Sequence, residues 1–139
     1  MRTGNAIGLI EGPNFTAYNG SGADIAQYSR LKITGAETNG CPTVGLAGVG
    51  DVCIGIAQVP IANGGFGNAR FENASGSQIY LASEAIAAGD KIYSAAAGKV
   101  KKTSAAGVVS LGAAWTSTAA DGDFIMAIRG EQAGLAANA

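Results

Sequence analysis

The sequence predicts an all-β protein: a compact β-barrel or sandwich built from two similar β units, with an extended N-terminal arm and little helix. Three observations carry that prediction. Apolar residues recur with the period of strands far more often than with that of helices. The 139 residues include 22 glycines, so the chain turns often and tightly. The order of strand and turn patterns in the first part of the chain is repeated in the second. The expected organisation is an arm over residues 1–23, a β domain over 24–130 with halves of about 24–75 and 76–130, and a tail over 131–139.

The strand patterns come in order. Ser29 to Thr34 alternates apolar and polar residues, and Val52 to Val59 places large residues on one face and mostly small ones on the other. In Ser77 to Ala82, Ile79 and Leu81 face one way and Tyr80 the other. Val109 to Trp115 repeats the large/small alternation, and Asp123 to Arg129 is apolar on both faces, as in a central strand. Between these runs stand Asn19-Gly20, Asn39-Gly40, Asn63-Gly64 and Asp121-Gly122, dipeptides that tolerate positive φ in tight turns. Pro60 closes one strand, because it has no N–H to donate to an inner ladder. Ser83 to Ala88 predicts a single helical turn, capped by Ser83 and stopped by Gly89.

The echo between the halves is specific. Ile54-Gly55-Ile56-Ala57 matches Leu111-Gly112-Ala113-Ala114, and Asn63-Gly64-Gly65 matches Asp121-Gly122-Asp123. Ala69-Arg70-Phe71 matches Ala127-Ile128-Arg129, and upstream Leu31-Lys32-Ile33 matches Lys91-Ile92-Tyr93. A supersecondary unit repeated in this way normally buries its apolar face against its twin. The glycine of each Gly-x-Ala marks a place where a neighbouring backbone or side chain comes close. Trp115, the single tryptophan, is expected in the core more than at an interface.

Composition excludes several functions. Charged residues are 14% of the chain, against roughly 25% in soluble domains. So bare a surface suits a chain covered by copies of itself or by a partner. The net charge of −1 leaves no basic stripe for nucleic acid. No apolar run approaches the roughly 20 residues of a membrane helix, and the start of the chain does not read as a signal peptide, so synthesis in a cytoplasm is expected. Cys41 and Cys53 have neither knuckle spacing nor the company of a disulfide scaffold, and are expected as buried, reduced thiols.

Catalytic chemistry finds no footing. With no histidine, the commonest general base and metal ligand is missing, and Ser–His–Asp or Cys–His arrangements cannot form within the chain. The remaining carboxylate pairs are Asp121 with Asp123, which flank a turn glycine, and Glu84 with Asp90. Gly45 to Gly50 is reversed relative to a dinucleotide fingerprint, and Gly98-Lys99 lacks the rest of a phosphate loop. Lys99, Lys101 and Lys102 read as a solvated strand edge, and the glycosylation-like triplets at Asn14, Asn19 and Asn73 read as turns. No catalytic residue, cofactor or metal site is predicted. The candidate partner-binding residues are the apolar members of the arm: Ile7, Leu9, Ile10, Phe15 and Tyr18.

One stretch carries a family resemblance. Ala85 to Val100, with its Ala88-Gly89-Asp90, its Ile92-Tyr93 and its Gly98-Lys99-Val100 turn, resembles the signature of phage capsid cement (head-decoration) proteins. The parts that follow in that family are similar to Leu111-Gly112-Ala113-Ala114, Asp121-Gly122-Asp123 and Phe124 to Arg129 here, so the resemblance covers roughly residues 24–130. It implies a structural virion protein on the outer capsid surface, a homotrimer that binds the major capsid protein and cements neighbouring subunits against DNA pressure. Neither nucleic acid nor membrane is an implied partner. The rival expectation is a phage fibre or adhesin-type module that binds a host-surface glycan; it would want more exposed aromatics than one Trp and four Tyr supply.

Overall fold

In the computed structural model, residues 12–103 and 110–129 are described. The first half holds β1 (Asn14–Asn19), β2 (Arg30–Thr38), β3 (Cys41–Leu46), β4 (Gly55–Ala57) and β5 (Phe66–Phe71). These close into a barrel in the order β1-β3-β2-β4-β5. The second half holds β6 (Ser77–Leu81), β7 (Lys91–Ser94), a 3-10 turn at Ala96–Gly98, β8 (Val100–Lys101), β9 (Gly112–Ala114) and β10 (Phe124–Arg129). These form a curled sheet in the order β6-β10-β9-β7-β8. Asp123 to Arg129 therefore does yield a central strand.

The two halves repeat one plan, visible in the hydrogen bonds. Ile54 N–H donates to Leu31 O, as Leu111 N–H donates to Ile92 O (both 2.8 Å). Ala57 N–H donates to Ser29 O (2.9 Å), as Ala114 N–H donates to Asp90 O (2.8 Å). Gln58 N–H donates to Asn68 O (2.9 Å), as Trp115 N–H donates to Met126 O (2.8 Å). Even the bridge Ile25–Ile61 has its counterpart in Ile86–Thr118. These pairs correct the upstream register of the echo by one residue: Leu31 is the twin of Ile92, not of Lys91.

The repeated glycines sit where no side chain fits. A Cβ on Gly112 would collide with the Ile128 carbonyl oxygen, and one on Gly55 would lie 2.6 Å from the Arg70 oxygen and 2.7 Å from the Phe15 ring. Asn39 and Gly40, both at positive φ, make the two-residue hairpin turn between β2 and β3.

Each half has its own apolar cluster. Phe15, Ala17, Ile25, Leu31, Val44, Ala57, Ile61 and Ala69 fill the barrel. Tyr80, Ile86, Ile92, Val100 and Ile125 anchor the second cluster, and Ile56 of β4 joins it. Alternation explains why: Leu31 and Ala57 point into the barrel, so Arg30 and Ile56, paired in register, point out toward the second half.

Several sequence expectations need correction here. The arm does not extend to residue 23, because Asn14–Asn19 is β1, paired along β5 from Asn14–Arg70 to Tyr18–Phe66. Phe15 is a buried barrel residue, and Tyr18 is half-buried with its ring 5.0 Å from that of Phe66. Ile7, Leu9 and Ile10, like the tail over 131–139, lie outside the described residues. Asn19-Gly20 is a turn of another kind than expected: neither residue has positive φ, and the buried Asn19 side chain accepts from Ser21 N–H in an Asx-turn while donating to Ala23 O and Ile61 O. Ser83 to Ala88 is not helical, because Ile86 is drawn into the bridge with Thr118 and Asp90 accepts from Ala87 N–H instead. Cys41 and Cys53 are free but half-buried rather than buried.

Candidate functional site: an apolar sheet face

The carboxylates that the sequence offers as pairs are spent on local structure. Asp123 Oδ2 accepts from the Ala119 and Ala120 N–H groups (2.9 and 3.0 Å), and Asp121 pairs with Lys99 at 2.7 Å. Glu84 accepts from the Lys102 and Thr103 N–H groups, and those bonds outweigh the upward push of burial and hold its carboxyl below the usual range. Asp51 is lowered in the same sense, first by the Gly48 N–H and then by Lys32. Two pairs that sequence alone offers as acid–base couples are thus a turn cap with an ion pair, and two separate caps.

The most polar place in the interior is the seam between the halves. Glu72 accepts from the Cys53 thiol (3.2 Å) and the Tyr80 hydroxyl (3.4 Å), and Arg129 stands 3.7 Å away. Burial, then the Glu72 charge, pushes the Cys53 thiol up to about 12 and raises the Tyr80 hydroxyl as well. Such a thiol stays protonated and is a poor nucleophile. The Gln78 amide donates across the seam to Phe71 O (3.1 Å), and Gly98 N–H donates to Ala47 O (2.8 Å). These groups hold the halves together; they do not converge on an open cleft.

What the surface offers instead is an apolar face. On β10, Ile125 and Ala127 point into the core, so Phe124, Met126 and Ile128 share the outer side. Met126 is in register with Ile79 of β6, and Trp115 follows β9 alongside Met126. Trp115 is 60% exposed and Phe124 54% exposed, which overturns the expectation of a core tryptophan. Phe124 leans edge-on against Tyr28 of the first half (4.8 Å between rings). The face is legible in the sequence once its strand is known, since Asp123 to Arg129 reads as apolar on both sides. What the sequence withholds is that one of those sides is left uncovered.

A second surface lies on the barrel. Lys32, Ile33, Thr34, Asp51, Val52 and Ile54 line an open cleft of about 510 Å³, with Lys32 and Asp51 paired at 3.0 Å on its rim. Val52 and Ile33 are both largely exposed there.

Comparison with known proteins gives this architecture its context. A family model described as Phage cement protein matches residues 17–130, and so spans both halves. The chain belongs to the phage cement protein family. A solved structure to which this cement protein is similar is the head fiber gp8.5 N base in bacteriophage phi29. The likeness has a TM-score of 0.66 at 15% identity and covers 84% of this chain and 92% of that one, so it speaks for the fold. No curated protein matches the chain. The family is one of structural phage proteins, as the resemblance of Ala85 to Val100 implied.

Proposed function

We propose that this protein binds the outer surface of an icosahedral phage head as a homotrimer and cements neighbouring major capsid subunits. It does so without catalysis, cofactor or nucleic-acid contact, and it is made in the cytoplasm of the host bacterium. The observation that carries this reading is the family match across residues 17–130, which takes in both halves of the fold. The structure supplies a compatible mechanism. A pair of β units with little surface charge adheres by area, and binding the assembled shell better than its loosened form stabilises it by mass action. Repetition around the shell adds avidity to contacts that are individually small.

The contact includes the apolar residues Ile7, Leu9 and Ile10, while Phe15 and Tyr18 act only by building the barrel. The test is therefore removal of residues 1–11, which spares β1, and not removal of 1–23. Purified heads are imaged and heated with the full protein, with the shortened one and with none. The expected result is decorated, heat-resistant heads with the full protein, and weaker decoration with the shortened one. Bare heads at saturating full-length protein would refute shell binding; undiminished decoration by the shortened chain would refute the role of the arm.

A further inference from the structure

The chain holds three Asn-Gly pairs, at Asn19, Asn39 and Asn63. Asparagine is a thermolabile residue, and a following glycine, with no Cβ to shield its nitrogen, leaves the side-chain amide open to attack by the backbone. The fold treats the three pairs differently. Asn19 is buried, with its amide nitrogen donating to Ala23 O and Ile61 O and its oxygen accepting from Ser21, and Gly20 N–H donates to Val44 O at 3.2 Å. Asn63 is exposed, but Gly64 N–H donates to Asn19 O (3.0 Å), Gly65 N–H to Ala62 O (2.8 Å) and Asn63 N–H to Asp24 Oδ1 (2.9 Å), so its turn is tied to β1 and to itself. Asn39 and Gly40 are both exposed at the tip of the β2–β3 hairpin. Among the described residues, neither the Asn39 side-chain amide nor the Gly40 N–H has a hydrogen-bond partner, and the Cys41 thiol beside them turns to the Asn39 backbone oxygen.

We propose that Asn39 is a site of spontaneous covalent modification, its side-chain amide lost by ring closure onto Gly40. The Gly40 nitrogen gives up its proton and attacks Asn39 Cγ. The new N–Cγ bond closes a five-membered succinimide, the Cγ–Nδ2 bond breaks, and Nδ2 leaves as ammonia with the proton from Gly40. Solvent water then opens the ring. Addition at Cγ gives aspartate, and addition at the backbone carbonyl carbon gives isoaspartate, in which the chain runs through the side-chain carboxyl. Ring closure requires Asn39 to leave its turn conformation, and the hairpin makes that departure easy. Asn39 sits at φ 52, in the left-handed region that an L-residue adopts at a cost. The ladder behind it is thinned by register shifts between Ile33 and Gly35 and between Gly35 and Thr38, so the Thr38–Cys41 pair opens locally while the barrel stays closed. Either product adds one negative charge to a chain whose formal net charge is −1, and isoaspartate also lengthens the backbone of a two-residue turn. The inference is independent of shell binding and of oligomeric state.

The three pairs are each other's controls. The full-length protein is held in warm, mildly alkaline buffer, folded in one sample and unfolded in guanidinium in the other, and fragment-ion mass spectrometry follows each asparagine as amide turns to acid. In the folded protein Asn39 is expected to convert at least about five-fold faster than Asn63, the factor that one net hydrogen bond is worth, and Asn19 is expected to convert slowest. In guanidinium the three rates should converge, because the dipeptide is the same. Asn39→Gly keeps a residue suited to the left-handed turn and should abolish the early acidic species seen on isoelectric focusing. The inference is overturned if Asn19 or Asn63 keeps pace with Asn39 in the folded protein, or if Asn39 stays intact there while the unfolded chain converts. It is equally overturned if Asn39 leads by the same factor in guanidinium, or if the acidic species forms undiminished in Asn39→Gly.

Discussion

In the first half, β1 and β3 run side by side and close a barrel through Tyr18–Thr43 and Asn19–Val44. In the second half, among the described residues, their counterparts β6 and β8 are joined by one parallel bridge, Ala82–Val100. The two halves answer the same plan with different solutions. The first fills its interior with its own residues, Phe15 among them. The second has Gln78 at the twin position of Phe15 and completes its interior with Ile56 from the first. The closed half can stand as a self-contained core, whereas the open half needs its neighbour within the chain. The difference teaches that duplication of a β unit need not duplicate its independence.

The comparison is most severely tested at the repeated glycines. Gly112→Ala would drive a methyl group into the Ile128 carbonyl, and all three of its nearest neighbours are β10 backbone atoms, with no side chain to move aside. Gly55→Ala meets a carbonyl too, at a longer distance, and the rest of its clash is with a side chain, the Phe15 ring, and not with backbone. The expected losses are about 4 kcal/mol and about 2 kcal/mol, read from urea midpoints. A larger loss at Gly55 would mean that the closed barrel, not the open sheet, is the less tolerant of the two.

Next is Ile56→Ala, a cavity made in the second half by a change in the first. The expected cost is about 3 kcal/mol, with faster amide exchange in β10 and β6. Faster exchange confined to β1 and β5 would show that the second core does not depend on this residue. A smaller effect belongs to Glu72→Gln at the seam, about 1–2 kcal/mol because the Glu72–Arg129 pair is mostly but not wholly buried. Removing the charge also removes the Glu72 charge effect, which stands second to burial among the three influences that raise the Cys53 thiol. Alkylation of Cys53 should therefore speed up near pH 8, while burial, the larger influence, keeps it slower than Cys41. An unchanged Cys53 rate would mean that the Glu72 charge does not govern that thiol.

Much of this architecture was legible in the residues. Alternation in Ser77 to Ala82 and in Asp123 to Arg129 gave the strands, Asn39-Gly40 gave the hairpin, and Gly55 and Gly112 announced close approaches that the structure places at carbonyl oxygens. The failures share a cause. Asn14–Asn19 looked like an arm because its pairing partners, Phe66–Phe71 and Cys41–Leu46, lie far along the chain, and local pattern carries no record of them. Ser83 to Ala88 has the cap and stop of a helix, but Thr118 claims Ile86 from a distance. Trp115 went astray for another reason. Size and apolarity say that a side chain will be buried, and they do not say by what. The candidate site was therefore the least legible part, because apolarity alone does not tell an exposed face from a buried one.

The smallest effect concerns how each half is fastened. The seam of the first barrel is made of backbone bonds, such as Gly20 N–H to Val44 O at 3.2 Å, and these do not titrate. In the second half, the chain after β8 is held by the Glu84 carboxylate, which accepts from Lys102 and Thr103. Because its folded pKa lies below the ordinary glutamate value of 4.5, Glu84 contributes stability that is present above the unfolded value and lost as pH falls through the folded one. Asp51 titrates in the same direction, but it secures the 48–51 turn and the Lys32 pair, not the barrel closure. Protection of the Lys102 and Thr103 amides should therefore fall on acidification from about pH 6 to pH 3, while that of Gly20 holds. The stability at stake is under about 1 kcal/mol, since Glu84 is well solvated. Glu84→Gln should flatten the pH response at Lys102 and Thr103. If Gly20 loses protection at the same pH as Lys102, the halves open together, and the distinction between a titratable fastening and a fixed one does not govern how the molecule loosens.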